Sequence, residues 1–132
     1  MTKTFKELQE VDALVGELYV KDKTLQASRF GYAYKRFSDK NYSPLIKELQ
    51  DEMFMIRINN ALENPQTKEV LVDATSKRGF KFSKAGLTQC IKDENVLMEK
   101  FNEKEIEIKP YVSTLVPELA EEETELLKGL VI

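Results

Sequence analysis

The sequence predicts an α+β chain that is mainly α: a four-helix antiparallel bundle with a β-hairpin between helices three and four and a small C-terminal strand and helix element. Three observations carry this. Apolar residues recur at helical spacing in four long segments that open on capping residues. Between the third and fourth segments, two short runs alternate with period two around a polar turn. After the fourth, the period switches to alternation again before a leucine-rich end. With 132 residues and no linker, repeat or low-complexity tract, one domain over residues 1–132 is the economical reading.

The first helix is expected from about Phe5 to Tyr19. Thr4 and Glu7 have capping-box spacing, and Leu8, Val11, Val15 and Leu18 mark its apolar stripe. A second helix is expected over 22–38, capped by Asp22, with Leu25, Arg29, Tyr32, Ala33 and Arg36 on neighbouring turns and Phe37 closing the stripe. Ser43-Pro44 starts a third: serine supplies a capping oxygen, and proline at the first helical position gives up only an orphan amide. Leu45, Leu49, Ile56 and Leu62 define its main stripe. Phe54, Met55 and Ile58 widen it until the helix must be central or pack on two sides.

Asn64-Pro65 ends that helix. The hairpin is then read as Glu69–Asp73 and Gly79–Ser83, with Val70 and Val72 on one pleat face and Phe80 and Phe82 alternating around Lys81. A lone two-stranded ribbon is marginal in water, so this one needs a helix, a strand or another chain against it. Ser83 caps a fourth helix to about Glu103, in which Leu87, Cys90, Ile91, Glu94, Leu97, Met98 and Phe101 follow the helical period. Ile106 and Ile108 alternate with Glu105, Glu107 and Lys109 in a strand that Pro110 ends. Residues 124–128 read as a short helix, with Gly129 near its C-terminal cap.

Composition excludes several chemistries. The chain has no histidine and one cysteine, so no Ser-His or Cys-His pair, no histidine-ligated zinc and no internal disulfide can be built. No base stands ready to activate Cys90, whose place on an apolar stripe suits a small buried thiol. The five glycines form no phosphate-cradling loop. No apolar run approaches a membrane span and the N-terminus has no signal core, so a cytoplasmic location and no membrane are expected. No cofactor or metal is expected.

The formal charge of −3 conceals an asymmetry. Residues 93–132 hold 11 acidic and 4 basic side chains, whereas residues 21–40 hold 6 basic against Asp22 and Asp39. Such a division favours head-to-tail association or attraction to a charged partner, set against the plainer reading of solvated helix faces.

Candidate sites are few. Glu107-Ile108-Lys109 has the local pattern of a magnesium-dependent nuclease, but the carboxylate partner it needs, Asp73, lies far upstream. Arg29, Lys35 and Arg36 with Lys81 and Lys84 form a nucleic-acid-binding alternative, phosphates pairing with the cations and Tyr32, Tyr34 or Phe80 stacking on bases. Met53, Met55 and Met98 suit an adaptable peptide surface or, more simply, core packing. Glu121–Glu123 is accounted for by acids favouring a helix N-terminus.

The stretches Leu25–Arg29, Glu105–Lys109 and Leu126–Leu130, in this order around a long third helix and a short hairpin, are similar to small bacteriophage-encoded helical accessory proteins of unassigned role. The resemblance implies a phage setting, in the host cytoplasm or the virion, and oligomers or viral and host partners. It transfers no catalytic residue. The expectation is a non-enzymatic accessory or structural protein acting by self-association or by binding a protein partner. Its interface candidates are Lys77, Arg78, Phe80, Lys81 and Phe82 in the hairpin and Leu130 and Ile132 in the apolar tail.

Overall fold

The computed structural model describes residues 1–131 and is mainly helical, with a two-stranded antiparallel sheet. Strand β1, Thr2–Thr4, leads into α1, Phe5–Lys21. Thr4 closes the expected capping box: its hydroxyl accepts from the Glu7 amide at 3.1 Å, and the Glu7 carboxylate accepts from the Thr4 amide at 3.0 Å. A 3-10 turn at Leu25–Ala27 precedes α2, Arg29–Asn41, and then α3, Ser43–Asn60. After a non-helical segment come α4, Lys84–Asn102, strand β2, Glu105–Glu107, and α5, Glu121–Leu126.

The residues form two compact units, Met1–Ile46 with Asn102–Ile132, and Lys47–Phe101. The four helices expected to make one bundle are therefore described in two groups: α1 and α2 in the first unit, nearly all of α3 and α4 in the second.

In the first unit, β1 and β2 pair in the register Thr2↔Glu107, Lys3↔Ile106 and Thr4↔Glu105. The strand predicted at Glu105–Lys109 thus finds its partner in the N-terminal residues, not in the hairpin. The buried face of α1, Phe5, Leu8, Val11, Leu14, Val15 and Leu18, supplies much of the core, with Phe30 and Phe37 from α2 and Leu127, Leu130 and Val131 from the tail. Each such side chain contributes about 1.5–3 kcal/mol when fully withdrawn from water.

The second helix differs from its expected span of 22–38. Asp22 ends α1 and uses its carboxylate on the Thr24 amide and hydroxyl, at 3.0 and 2.6 Å, a local turn that competes with helix initiation. The extended backbone of Ser28 (ψ 175°) then separates the 3-10 turn from α2. Gly31 is required next to this break, because a Cβ there would stand 2.0 Å from the Gln26 carbonyl oxygen.

In the second unit, side chains of α3 reach α4: Arg57 donates to Glu94 and Asn60 to Asp93, at 3.0 and 3.1 Å. The C-terminal Asn60 of α3 meets both Asp93 and the start of α4, where a Cβ on Gly86 would lie 2.6 Å from the Asn60 carbonyl oxygen. Ser83 caps α4 as expected, its hydroxyl accepting from the Gly86 amide at 3.0 Å.

The expected hairpin strands are replaced by single bridges, Val72↔Phe80 and Glu63↔Val70. Leu62, Leu71 and Lys81 form a closed ring: Leu71 N–H donates to the Leu62 carbonyl, Leu62 N–H to that of Lys81, and Lys81 N–H to that of Leu71, at 2.8, 2.8 and 3.0 Å. Three segments therefore share the hydrogen bonds that two extended strands would have exchanged. Side-chain oxygens of Asn64 and Asp73 accept from amides two residues on and close the turns between them.

Candidate interaction surface

The second unit buries little of its apolar surface. Among residues 47–101 only Cys90, Glu94, Leu97 and Phe101 are buried, while Phe54, Met55, Leu62, Val72, Leu87, Ile91 and Val96 are exposed. The wide stripe of α3 accounts for two of these, Phe54 and Met55, while α4 carries Leu87, Ile91 and Val96. Met53 and Ile56 are half-buried, while Phe54 and Met55 point elsewhere, and Phe54 meets only part of the hairpin segment through Phe80, ring centroids 5.8 Å apart. Phe54 remains 53 % exposed and Val72, across the bridge from Phe80, 67 %.

The hairpin-segment candidates divide. Lys77 and Lys81 are exposed, and Phe80 and Phe82 are half-buried. Arg78 is not a free surface cation: its guanidinium forks onto Glu94 at 2.8 and 3.0 Å, and Arg57 from α3 adds a third contact at 3.0 Å. Burial alone would raise the Glu94 carboxyl, but hydrogen bonds and charge from Arg78 and Arg57 outweigh it and hold the group below the usual carboxylate range. Glu94 was legible only as a charged residue on an apolar stripe. Nothing in the sequence paired it with arginines 37 and 16 residues away.

Cys90 is fully buried, and its thiol is raised chiefly by that burial and further by the Glu94 charge, so it is a packing residue. The tail candidate Leu130 is corrected likewise. Gly129 turns with φ +94°, the Ser113 amide donates to the Leu130 carbonyl at 2.8 Å, and the Leu130 side chain is completely buried. Ile132 lies outside the described residues.

The nucleic-acid candidates fall in separate groups, Arg29, Lys35 and Arg36 exposed on α2 and Lys81 and Lys84 exposed in the second unit. Arg36 stands 5.1 Å over the Tyr111 ring. The carboxylates of the nuclease pattern are engaged singly: Glu107 with the N-terminal ammonium at 2.9 Å, and Asp73, lowered first by the Thr75 hydroxyl, with Thr75. Among the described residues no cluster of three or more potential metal-ligating side chains forms, and no helix is long and apolar enough to cross a membrane.

Sequence reasoning also passed over a cleft of about 550 Å³ in the first unit, lined by Tyr19, Lys23, Gln26, Tyr32, Tyr34, Lys35 and Asp39 among others. Its lining lies on both sides of the break at Ser28, with Gln26 and Ala27 from the 3-10 turn and Gly31 to Asp39 from α2.

No protein-family model matches the chain, and neither does any curated protein or solved structure.

Proposed function

We propose that this chain is a non-enzymatic accessory or structural protein that acts by contact, and first of all by self-association through the apolar surface of its second unit. The observation that carries the reading is the ratio there: four buried residues in Lys47–Phe101 against seven large apolar side chains left exposed. Where such side chains adjoin, as Phe54 does the half-buried Phe80 with ring centroids 5.8 Å apart, they make the kind of contiguous apolar surface that marks an interaction site. Phe54, Met55 and Val72 are its best-exposed members in α3 and the hairpin segment, with Lys77 and Lys81 as charged neighbours in sequence. The phage setting belongs to the same proposal and rests on the resemblance in sequence pattern alone.

Light scattering at micromolar concentration tests it. The expected result is a mass above that of one 15.3 kDa chain. Val72→Asp and Met55→Asp, both at exposed positions, should lower that mass while helical circular dichroism is kept. Phe80→Asp should do the same if its half-buried ring closes the contact, and global unfolding would mark Phe80 as core. A strict monomer, with every candidate interaction indifferent to Val72→Asp, overturns the reading.

A second reading, nucleic-acid binding, is favoured by one observation: Arg29, Lys35, Arg36 and Lys40 are all exposed on α2 beside an exposed Tyr32. It requires salt-dependent retention of DNA or RNA that Arg29→Glu weakens.

A further inference from the structure

We infer that the cleft between the end of α1 and the face of α2 binds a nucleotide, a flat base that stacks on tyrosine and a phosphate that is met by lysine. Its volume of about 550 Å³ falls within the span of small-ligand sites. Two of its three tyrosines are held in place. Tyr19 lies edge-on to Phe30 with centroids 6.4 Å apart, while Tyr34 stacks on Phe37 and donates its hydroxyl to Asp12. The third is not: Tyr32 is 65 % exposed and makes no ring contact among the described residues. Burial is the main reason that the phenols of Tyr19 and Tyr34 are raised, so both stay neutral hydroxyls across the ordinary pH range.

The charges suit a phosphate with a base attached. Lys23 has no ion-pair partner among the described residues, and Lys35 holds only the solvent-exposed Asp39, at 3.6 Å one helical turn away. Tyr32, Lys35 and Asp39 share one face of α2 by their spacing of three and four. An aromatic face, two cations, and the acceptor and amide of Asp39 and Gln26 for a base edge together match a nucleotide: stacking and phosphate pairing are the two sources of affinity for such ligands. A sugar would leave the lysines unused, and a bare phosphate would leave Tyr32 unused. This inference deepens the nucleic-acid reading and is separable from it, because Arg29 and Arg36 do not line the cleft.

The same chemistry is offered by a free nucleotide and by the end of a single strand, so the experiment has two arms. Adenosine and thymidine monophosphates, and separately a 5′-phosphorylated single-stranded oligonucleotide, are titrated into the full chain while tyrosine ring resonances are followed by NMR. With five tyrosines and no tryptophan, that spectral region is simple to follow. Saturable shifts in either arm are expected, the responding arm naming the source, and Tyr32→Ala and Lys23→Glu should each weaken binding about tenfold. Both positions are exposed, so folded variants are expected, and circular dichroism checks this. Lys6→Glu, on exposed α1 surface away from the cleft, should bind as the parent does. Absence of saturable shifts in both arms overturns the inference, and so does binding that Tyr32→Ala and Lys23→Glu leave unchanged. Retention of long DNA or RNA that depends on Arg29 but not on Tyr32 would keep the broader reading and still overturn this one.

Discussion

Glu94 sits where a carboxylate is costly, on the inner face of α4, and is tolerated because two guanidinium groups satisfy it from α3 and from the hairpin segment. Removing one member of a buried charge pair leaves the others desolvated and unpaired, which costs about 3–5 kcal/mol in a fully enclosed site. Arg57 and Arg78 keep 33 % and 25 % of their side chains in water, so Glu94→Ala is expected to cost less, about 2 kcal/mol, read as a lower denaturation midpoint. The acid limb has a defined sign. The folded Glu94 carboxyl titrates below its unfolded value, so the unfolded chain binds the extra proton. The stabilisation is fully present above the unfolded carboxylate range and is lost as pH falls through the lowered folded value. Glu94→Gln should therefore flatten the loss of stability below that range, measured by denaturant titration at several acidic pH values. The sequence exposed half of this arrangement, a charge on an apolar stripe. The other half depends on which arginines the fold brings near, and Arg78 was consequently assigned to the surface.

At the scale of elements, two glycines in helices have opposite reasons to be there. Gly16 lies on the exposed face of α1 with no atom within 4 Å of where a Cβ would stand, so Gly16→Ala should stabilise by up to about 1 kcal/mol through helix propensity. Gly86 lies in the first turn of α4 against the backbone of Asn60, and the 2.6 Å approach leaves nothing flexible to move aside. Gly86→Ala should therefore destabilise, by roughly 1–3 kcal/mol, as overpacked contacts do. Urea midpoints of the two variants should move in opposite directions. Local signals made several helix starts legible: Thr4 with Glu7 and Ser83 cap as their spacing predicts, and α3 starts at Ser43, although there it is the Tyr42 carbonyl that accepts from the Leu45 and Ile46 amides. Strand β1 was not legible: three residues are too few to show alternation, and their partner lies about a hundred positions on. The break at Ser28 is invisible in the sequence because the apolar spacing runs through it, and the two-strand pattern of the hairpin cannot reveal that Leu62 shares its hydrogen bonds.

For the whole molecule, the first unit collects nearly all the fully buried large side chains, whereas the second leaves much of its apolar surface in water. Small cores are marginal because surface grows relative to volume, and a segment of this length with four buried residues gains little from its own interior. If the exposed apolar surface is covered by a second copy, association stabilises the folded state by mass action, and apparent stability becomes a function of protein concentration. Thermal midpoints measured across a hundredfold range of concentration should then rise with concentration. Val72→Asp should remove the dependence without lowering the midpoint of the dilute sample, because Val72 is 67 % exposed and loses few contacts within its own chain. Glu94→Ala should instead lower the midpoint at every concentration and keep the slope, because its contacts are internal to one chain. A midpoint independent of concentration for the parent chain would assign the exposed side chains to a partner of different sequence, and self-association would be withdrawn as the first occupant.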